Sequence, residues 1–456
     1  MRIAFDLQGA QNGSRDRGIG RYVSAFSKAL ISNRGEHEII LILNALFPDH
    51  CASVLEAFGP LPERCSFAVF HGIGPTFEHD NTNHWRLRVS ELMYRKFISD
   101  LSIDVLITGS VIEGFHDNTI TGVGTAPVNA AILYDLIPLI NPSDHLRAKE
   151  AKLWYYRRLK QVEKADILLS ISESSRQEAI THLGFPENRI VNIKAAASDN
   201  FLNLDLQERK NGVRSREMLH SHGISRPYIM HTSAFDKRKN FDGLIRAYAA
   251  LPRAVRSQYQ LLLVCKIGDK DRAAMRQLTS SLKLSDNDVV FPGYVSDDDL
   301  ITYYANCTLF AFPSFHEGFG LPILEAMHCG APVVGSNVSS VPEVIGNESA
   351  LFDPTSIADM ATCLERFLTD PKALTELRQH SAAQAKEFDW GATARLALQA
   401  IEQVTQARTY PSRTNVGLTE TVVAISHILR PPQWDQRQLA AAALALAKNE
   451  EVTAQF

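Results

Sequence analysis

Two carboxylates eight positions apart, Glu317 and Glu325, bracket the stretch of this chain that carries the most chemistry. Between them stands Gly318-Phe319-Gly320-Leu321-Pro322, after an apolar run that ends at Phe312. A strand, a Gly-rich turn and a helix in that order set free N–H groups and the positive end of a helix dipole beside the turn. Pro322 fits the first helical turn, where its missing N–H would have had no partner. The arrangement suits a phosphate. A second cluster, Asp236-Lys237-Arg238-Lys239-Asn240, follows an apolar run ending at Ser233. A guanidinium fork and an ammonium point charge in that position suit a diphosphate. Taken alone, the glutamate pair also fits a plain strand–turn–helix with two surface carboxylates, and the charge run also fits a solvated face. Together, each at a strand end before a helix, they favour one anionic ligand.

Three other segments are candidates of lower information. Gly18-Ile19-Gly20-Arg21 follows the first strand, but Val23 stands where a dinucleotide fingerprint has its third glycine. An NAD-dependent oxidoreductase is therefore disfavoured. Tyr134-Asp135 ends another apolar run. A tyrosine cannot shuttle protons near neutrality as imidazole does, although it can donate a hydrogen bond; the alternative is a tyrosine that packs at a strand end. Asp297-Asp298-Asp299 looks like a metal-binding Asp-x-Asp, yet Ser296 precedes a helical run with Asp299 at its third position, so helix capping suffices. No other His/Asp/Glu cluster has ligand spacing, and no metal or cofactor is expected.

The elements that must position these residues alternate as short apolar strands and helices, the pattern of parallel α/β domains. Strands are expected at Ile3–Leu7, Glu38–Leu43, Asp104–Thr108, Val128–Leu133, Ile167–Ser170 and Ile190–Ile193. After a polar stretch they restart at Tyr228–Ser233, Gln260–Val264, Val289–Phe291, Leu309–Phe312 and Pro332–Gly335. This predicts two Rossmann-like, doubly wound domains, residues 1–195 and 228–388, with a linker region at 196–227. Ligands in such sheets sit beyond the strands' carboxyl ends, so a cleft between facing domains is the expected site. A crossing helix at 389–408 and a helical tail at 409–456 complete the chain, with Leu439, Ala443 and Leu446 expected on one face of the tail's Ala-rich helix. The helix around His84–Lys96 interleaves Trp85, Val89 and Leu92 with Arg88, Arg95 and Lys96. That pattern fits membrane-surface contact, but more readily a core-facing helix.

With 45% hydrophobic and 21% charged residues among 456, the composition is globular. A formal net charge of −4 gives no general attraction for nucleic acid. Six scattered cysteines without a CxxC pair, and no secretory signal or apolar span, lead to the expectation of a cytoplasmic protein, possible peripheral contact with the membrane's inner face included.

The segment from Phe312 to Met327, continuing through Gly330–Ser336, Ser339–Glu343 and Leu351–Pro354, resembles the retaining nucleotide-sugar glycosyltransferases of the GT-B fold, family 4. The resemblance covers about residues 1–405. It implies that Arg238 and Lys239 hold the donor diphosphate together with the N–H groups of Phe319–Leu321. It further implies that Glu325 holds the ribose, Glu317 the donor sugar, and Gly293-Tyr294-Val295 a turn beside the base; Ser233 belongs to the same donor site. By the same resemblance the loop of Gly18, Gly20 and Arg21 faces phosphates and acceptor, and Asp135 orients donor or acceptor. The opening segment, Ile112-Glu113-Gly114 and Tyr134–Pro138 resemble bacterial mannosyltransferases of O-antigen and capsule synthesis. That implies GDP-mannose as donor and a glycan or lipid-linked glycan as acceptor. A UDP-sugar transferase, an epimerase on the same fold, and a non-catalytic sugar-nucleotide-binding subunit stay open as alternatives. The tail resembles connecting segments of multi-domain mannosyltransferases; it either docks a partner or packs back on the body.

Overall fold

The computed structural model describes residues 1–202, 204–206, 209, 212–407, 417–428 and 436–455. The chain forms two units. The first comprises Met1–Ile171, Arg176–Lys194 and Trp390–Phe456, the second Ser172–Ser175 and Ala195–Asp389.

Seven parallel strands build the first unit: β1 (Arg2–Asp6), β2 (Glu38–Asn44), β3 (Cys65–Phe70), β4 (Val105–Thr108), β5 (Val128–Leu133), β6 (Ile167–Ser170) and β7 (Ile190–Asn192), in the order β3-β2-β1-β4-β5-β6-β7. Six more build the second: β8 (Tyr228–Thr232), β9 (Gln260–Val264), β10 (Val289–Val290), β11 (Leu309–Phe312), β12 (Val333–Ser336) and β13 (Leu351–Phe352), in the order β10-β9-β8-β11-β12-β13. Central strands read as unbroken apolar runs because helices cover both faces; Ile39–Leu43 of β2 are wholly buried. Every expected strand is present, with its ends within one residue. Two were not expected. β3 is the outermost strand of its sheet and is only partly buried, so its apolar signal is weak. β13 is only two residues long.

Both sheets reverse their strand order once, between β1 and β4 and between β8 and β11. At such a switch point the loops leaving adjacent strands diverge to opposite faces and open a crevice. Each sheet therefore offers one place where its own loops can surround a ligand.

After Trp390 the chain adds helices to the first unit. Trp390 begins the helix Trp390–Gln406 and meets Tyr22 of helix Gly18–Ser32 edge-on at 4.9 Å. The helices Leu418–Ile428 and Gln436–Thr453 close over helix His84–Asp100: Ile425, Ala442 and Ala445 share a core with Phe70, Val89, Tyr94 and Phe97. The helix from His84 is thus core-facing, with Trp85 and Leu92 packed against that core. The tail packs back on the body, on a face that differs from the expected one. Ala443 is exposed, whereas Ala442, Ala445 and Asn449 are buried and Leu446 is partly so; the side chain of Leu439 lies outside the described residues. An Ala-rich helix carries too little contrast between faces for its sequence to fix the rotation.

Asn449 makes the tail's polar anchor. Its Oδ1 accepts from the backbone N–H of His71 at 2.7 Å, and its Nδ2 donates to the His71 carbonyl at 3.0 Å. Replacing Asn449 by Ala leaves both backbone groups of His71 unpaired. The expected cost is about 1–3 kcal/mol, read as a lower midpoint in equilibrium urea unfolding.

Candidate active site

In the second unit the loops that leave β8 and β11, the two strands at the switch point, converge on Glu317. The first begins at Ser233. Buried His231, two residues earlier, places Nδ1 3.0 Å from the Ala311 carbonyl and Nε2 3.0 Å from Ser233 Oγ. Burial lowers its pKa to about 4, so the ring is neutral. Nδ1 then carries the hydrogen, Nε2 accepts from the Ser233 hydroxyl, and Ser233 Oγ keeps its lone pairs for accepting.

Asp236 accepts from the N–H of Arg238 at 2.7 Å and so starts the short turn Lys237–Lys239. Asn240 ends it in a left-handed conformation with φ of 56°. Its Oδ1 accepts from Gly243 N at 3.1 Å, capping helix Phe241–Ala250, while Nδ2 donates to the carbonyls of Pro313 at 3.1 Å and Pro354 at 2.9 Å. One side-chain amide therefore ties together the loops that follow β8, β11 and β13. The Arg238 carbonyl also accepts from Phe315 N at 2.8 Å.

Held in this way, the two cations close on one carboxylate. Arg238 Nη1 lies 3.0 Å from Glu317 Oε2 and also donates to the His316 carbonyl; Lys239 Nζ lies 2.6 Å from Glu317 Oε1. Burial pushes the Glu317 pKa up, but the charges of Lys239 and Arg238 outweigh it and hold the pKa at about 2. Glu317 is a fixed anion at any physiological pH, a hydrogen-bond acceptor and no source of protons.

The Gly-rich turn behind Glu317 is fixed by two serines. Ser339 Oγ accepts from Glu317 N at 3.0 Å; Ser340 Oγ lies 3.0 Å from the Glu317 carbonyl and 2.8 Å from that of Phe319, in reach of both. Gly320 has φ of 105°, which a side chain would strain, and leads into helix Leu321–His328, which no side chain caps. Glu325, one turn into this helix, accepts from Tyr304 Oη at 3.1 Å. Val295 sits in the loop between β10 and helix Asp297–Asn306. Ser296 caps that helix by accepting from Asp299 N at 3.1 Å, and Asp298 pairs with Arg209 at 2.6 Å. The aspartate run is a helix start, as its position implies. Among the described residues no three His, Cys, Asp or Glu side chains cluster as a metal site requires.

The remaining sequence candidates lie in the first unit. Tyr134 donates its hydroxyl hydrogen to the Gly109 carbonyl at 2.9 Å and packs edge-on to Tyr22 at 5.4 Å, so the geometry matches a tyrosine that packs at a strand end. Asp135 accepts from Ile137 N at 3.0 Å. Gly18 is exposed at the first turn of its helix with Arg21 half-buried. Gly20 is buried, and a Cβ there would fall 2.3 Å from Arg15 Cα. Its missing side chain therefore makes room for its own loop. Sequence reasoning assigns no role to His231, Asn240, Tyr304, Ser339 or Ser340. Only Asn240, an N-cap residue directly before a helical run, carried a local signal.

The family of glycosyl transferases group 1 matches residues 217–388. The chain is 34% identical over 428 residues to a serotype-specific mannosyltransferase WbdA of Escherichia coli, covering 93% of this chain and 50% of that protein. It is 33% identical over 254 residues to an O-antigen chain mannosyltransferase B of Escherichia coli, covering 56% of this chain and 63% of the relative. The chain thus spans about half the length of the curated relatives it matches most fully. A sucrose-phosphate synthase structure from Thermosynechococcus elongatus superposes with a TM-score of 0.63 at 20% identity, covering 90% of this chain and all of that one. The fold is GT-B.

The ion pairs make stability depend on acid. Because the folded Glu317 pKa, about 2, lies below the ordinary 4.5, its contribution is complete above 4.5 and is lost as pH falls through about 2. Urea unfolding of the native protein and of Glu317→Gln between pH 6 and pH 2 should show the native advantage shrinking with acid; a gap that stays constant would contradict the assignment.

Proposed function

Residues 217–388 being a group 1 glycosyl transferase domain, we propose that this chain transfers mannose from GDP-mannose to a hydroxyl of a glycan acceptor, with retention of anomeric configuration, in bacterial surface polysaccharide synthesis. One observation carries the reading: two cations converge on Glu317, directly ahead of the Gly-rich turn, at the switch point of the second sheet. The donor's identity rests on similarity to the two mannosyltransferases of Escherichia coli.

Breaking the glycosidic bond to the donor leaves negative charge on the departing diphosphate. Arg238, Lys239 and the N–H groups of Phe319–Leu321 neutralise that charge from fixed positions, at little reorganisation cost. A diphosphate and Glu317 then share the same two cations. Glu317, permanently ionised, accepts hydrogen bonds from donor-sugar hydroxyls. Glu325 takes the ribose hydroxyls, with Tyr304 fixing the direction of its carboxylate, and Ser233 and Val295 complete the donor site. Gly18, Arg21 and Asp135 serve the acceptor side. With two protein cations on the diphosphate, the transfer runs without a metal.

A screen of nucleotide sugars for release of nucleoside diphosphate should single out GDP-mannose, and EDTA should change the rate by less than about twofold. Lys239→Ala should lower kcat by about 100- to 1,000-fold. Tyr304→Phe should raise the donor KM more than it lowers kcat. A pure protein that releases nucleoside diphosphate from none of these donors would rule the reading out.

A further inference from the structure

The first sheet's own switch point, between β1 and β4, also closes on one carboxyl group. Ser14, from the loop after β1, lies 3.1 Å from Glu113 Oε1, and Ser110, from the loop after β4, lies 3.2 Å from the same oxygen. Glu113 is 8% exposed. Its other oxygen, Oε2, takes no hydrogen bond from any described residue.

The loop that presents this carboxyl is fixed on both sides. Ahead of it, the Gly109 carbonyl accepts from Tyr134 Oη, and a Cβ at Gly109 would sit 2.6 Å from the Asp6 carbonyl. Behind it, Gly114 has φ of 90° and passes so close to the buried Arg158 guanidinium that a Cβ would lie 2.7 Å away. Its carbonyl accepts from Glu78 N at 3.1 Å. A carboxyl oxygen that is nearly buried, rigidly aimed and unpaired is costly unless a partner completes it. Two hydroxyl donors on Oε1 leave Oε2 as the ligand-binding atom. Burial, reinforced by the charge of Asp117, raises the Glu113 pKa to about 7, so near neutrality the group can accept from a hydroxyl or donate to one. Such a group suits a polyhydroxylated ligand better than a phosphate.

We propose that Glu113 binds the acceptor: Oε2 pairs with one hydroxyl on the terminal ring of the glycan to be extended. Ser14 and Ser110 are positioning residues that keep Oε1 occupied and Oε2 free. This assignment rests on the transferase reading. It also gives Tyr134 a part, as the anchor of the loop that carries Glu113.

The test uses the full chain, GDP-mannose, an α-mannosyl trisaccharide and versions of it that lack one hydroxyl on the terminal ring. Glu113→Gln should raise the acceptor KM about tenfold while the donor KM stays at the native value. Native-like binding of GDP by calorimetry checks that the variant is folded. One monodeoxy acceptor should lose efficiency with the native enzyme and lose little further with Glu113→Gln, which locates the hydroxyl. Ser14→Ala with Ser110→Ala should produce a smaller rise in acceptor KM. An unchanged acceptor KM in Glu113→Gln, or equal discrimination against every monodeoxy acceptor in both enzymes, overturns the assignment of Glu113 alone. A native enzyme that turns over no nucleotide sugar overturns the transferase reading instead.

Discussion

The arrangement of the second unit depends on a carboxylate held between two cations. Glu317 is buried, and a buried anion without partners would take up a proton or disrupt its surroundings. Arg238 and Lys239 prevent both, because Asn240 fixes the loop that bears them to the loop that bears Glu317. The polar network sets charges of both signs at one spot before any ligand arrives. A ligand with an anionic end and a hydroxylated end is complementary to it, which is the chemical description of a nucleotide sugar.

Much of this was legible in the sequence, for a physical reason. The strands are short apolar runs because both faces of a parallel sheet are buried, and Gly318–Gly320 with Pro322 announces a strand–turn–helix whatever surrounds it. What stayed illegible was the support. Ser339 and Ser340 lie more than twenty positions from the turn they hold, and His231 acts on Ser233 only because β8 is buried against β11. Nothing local marks such contacts. Tyr134 shows the converse limit: its hydroxyl is engaged by Gly109, a backbone group on a neighbouring strand's loop that no spacing rule connects to it. The face of the last helix was misjudged by one position because alanine offers little hydrophobic contrast.

The two sheets solve a similar problem with different chemistry. At one switch point a carboxylate is neutralised by cations and kept ionised; at the other a carboxyl group is held by two serine hydroxyls and titrates at about 7. The same topology thus yields two distinct hydrogen-bonding surfaces. Among the described residues, cations pair directly with the carboxylate at the first and not at the second.

The paired hydrogen bonds between Asn449 and His71 reach past the site. β3 ends its sheet, and a terminal strand presents a row of unused donors and acceptors on which a strand from another molecule can template itself. Asn449 saturates the first backbone pair beyond β3, and the helix around it joins the apolar core that includes Ala68 and Phe70 of that strand. An intruding strand would have to break these two bonds before it could extend the ladder past Phe70.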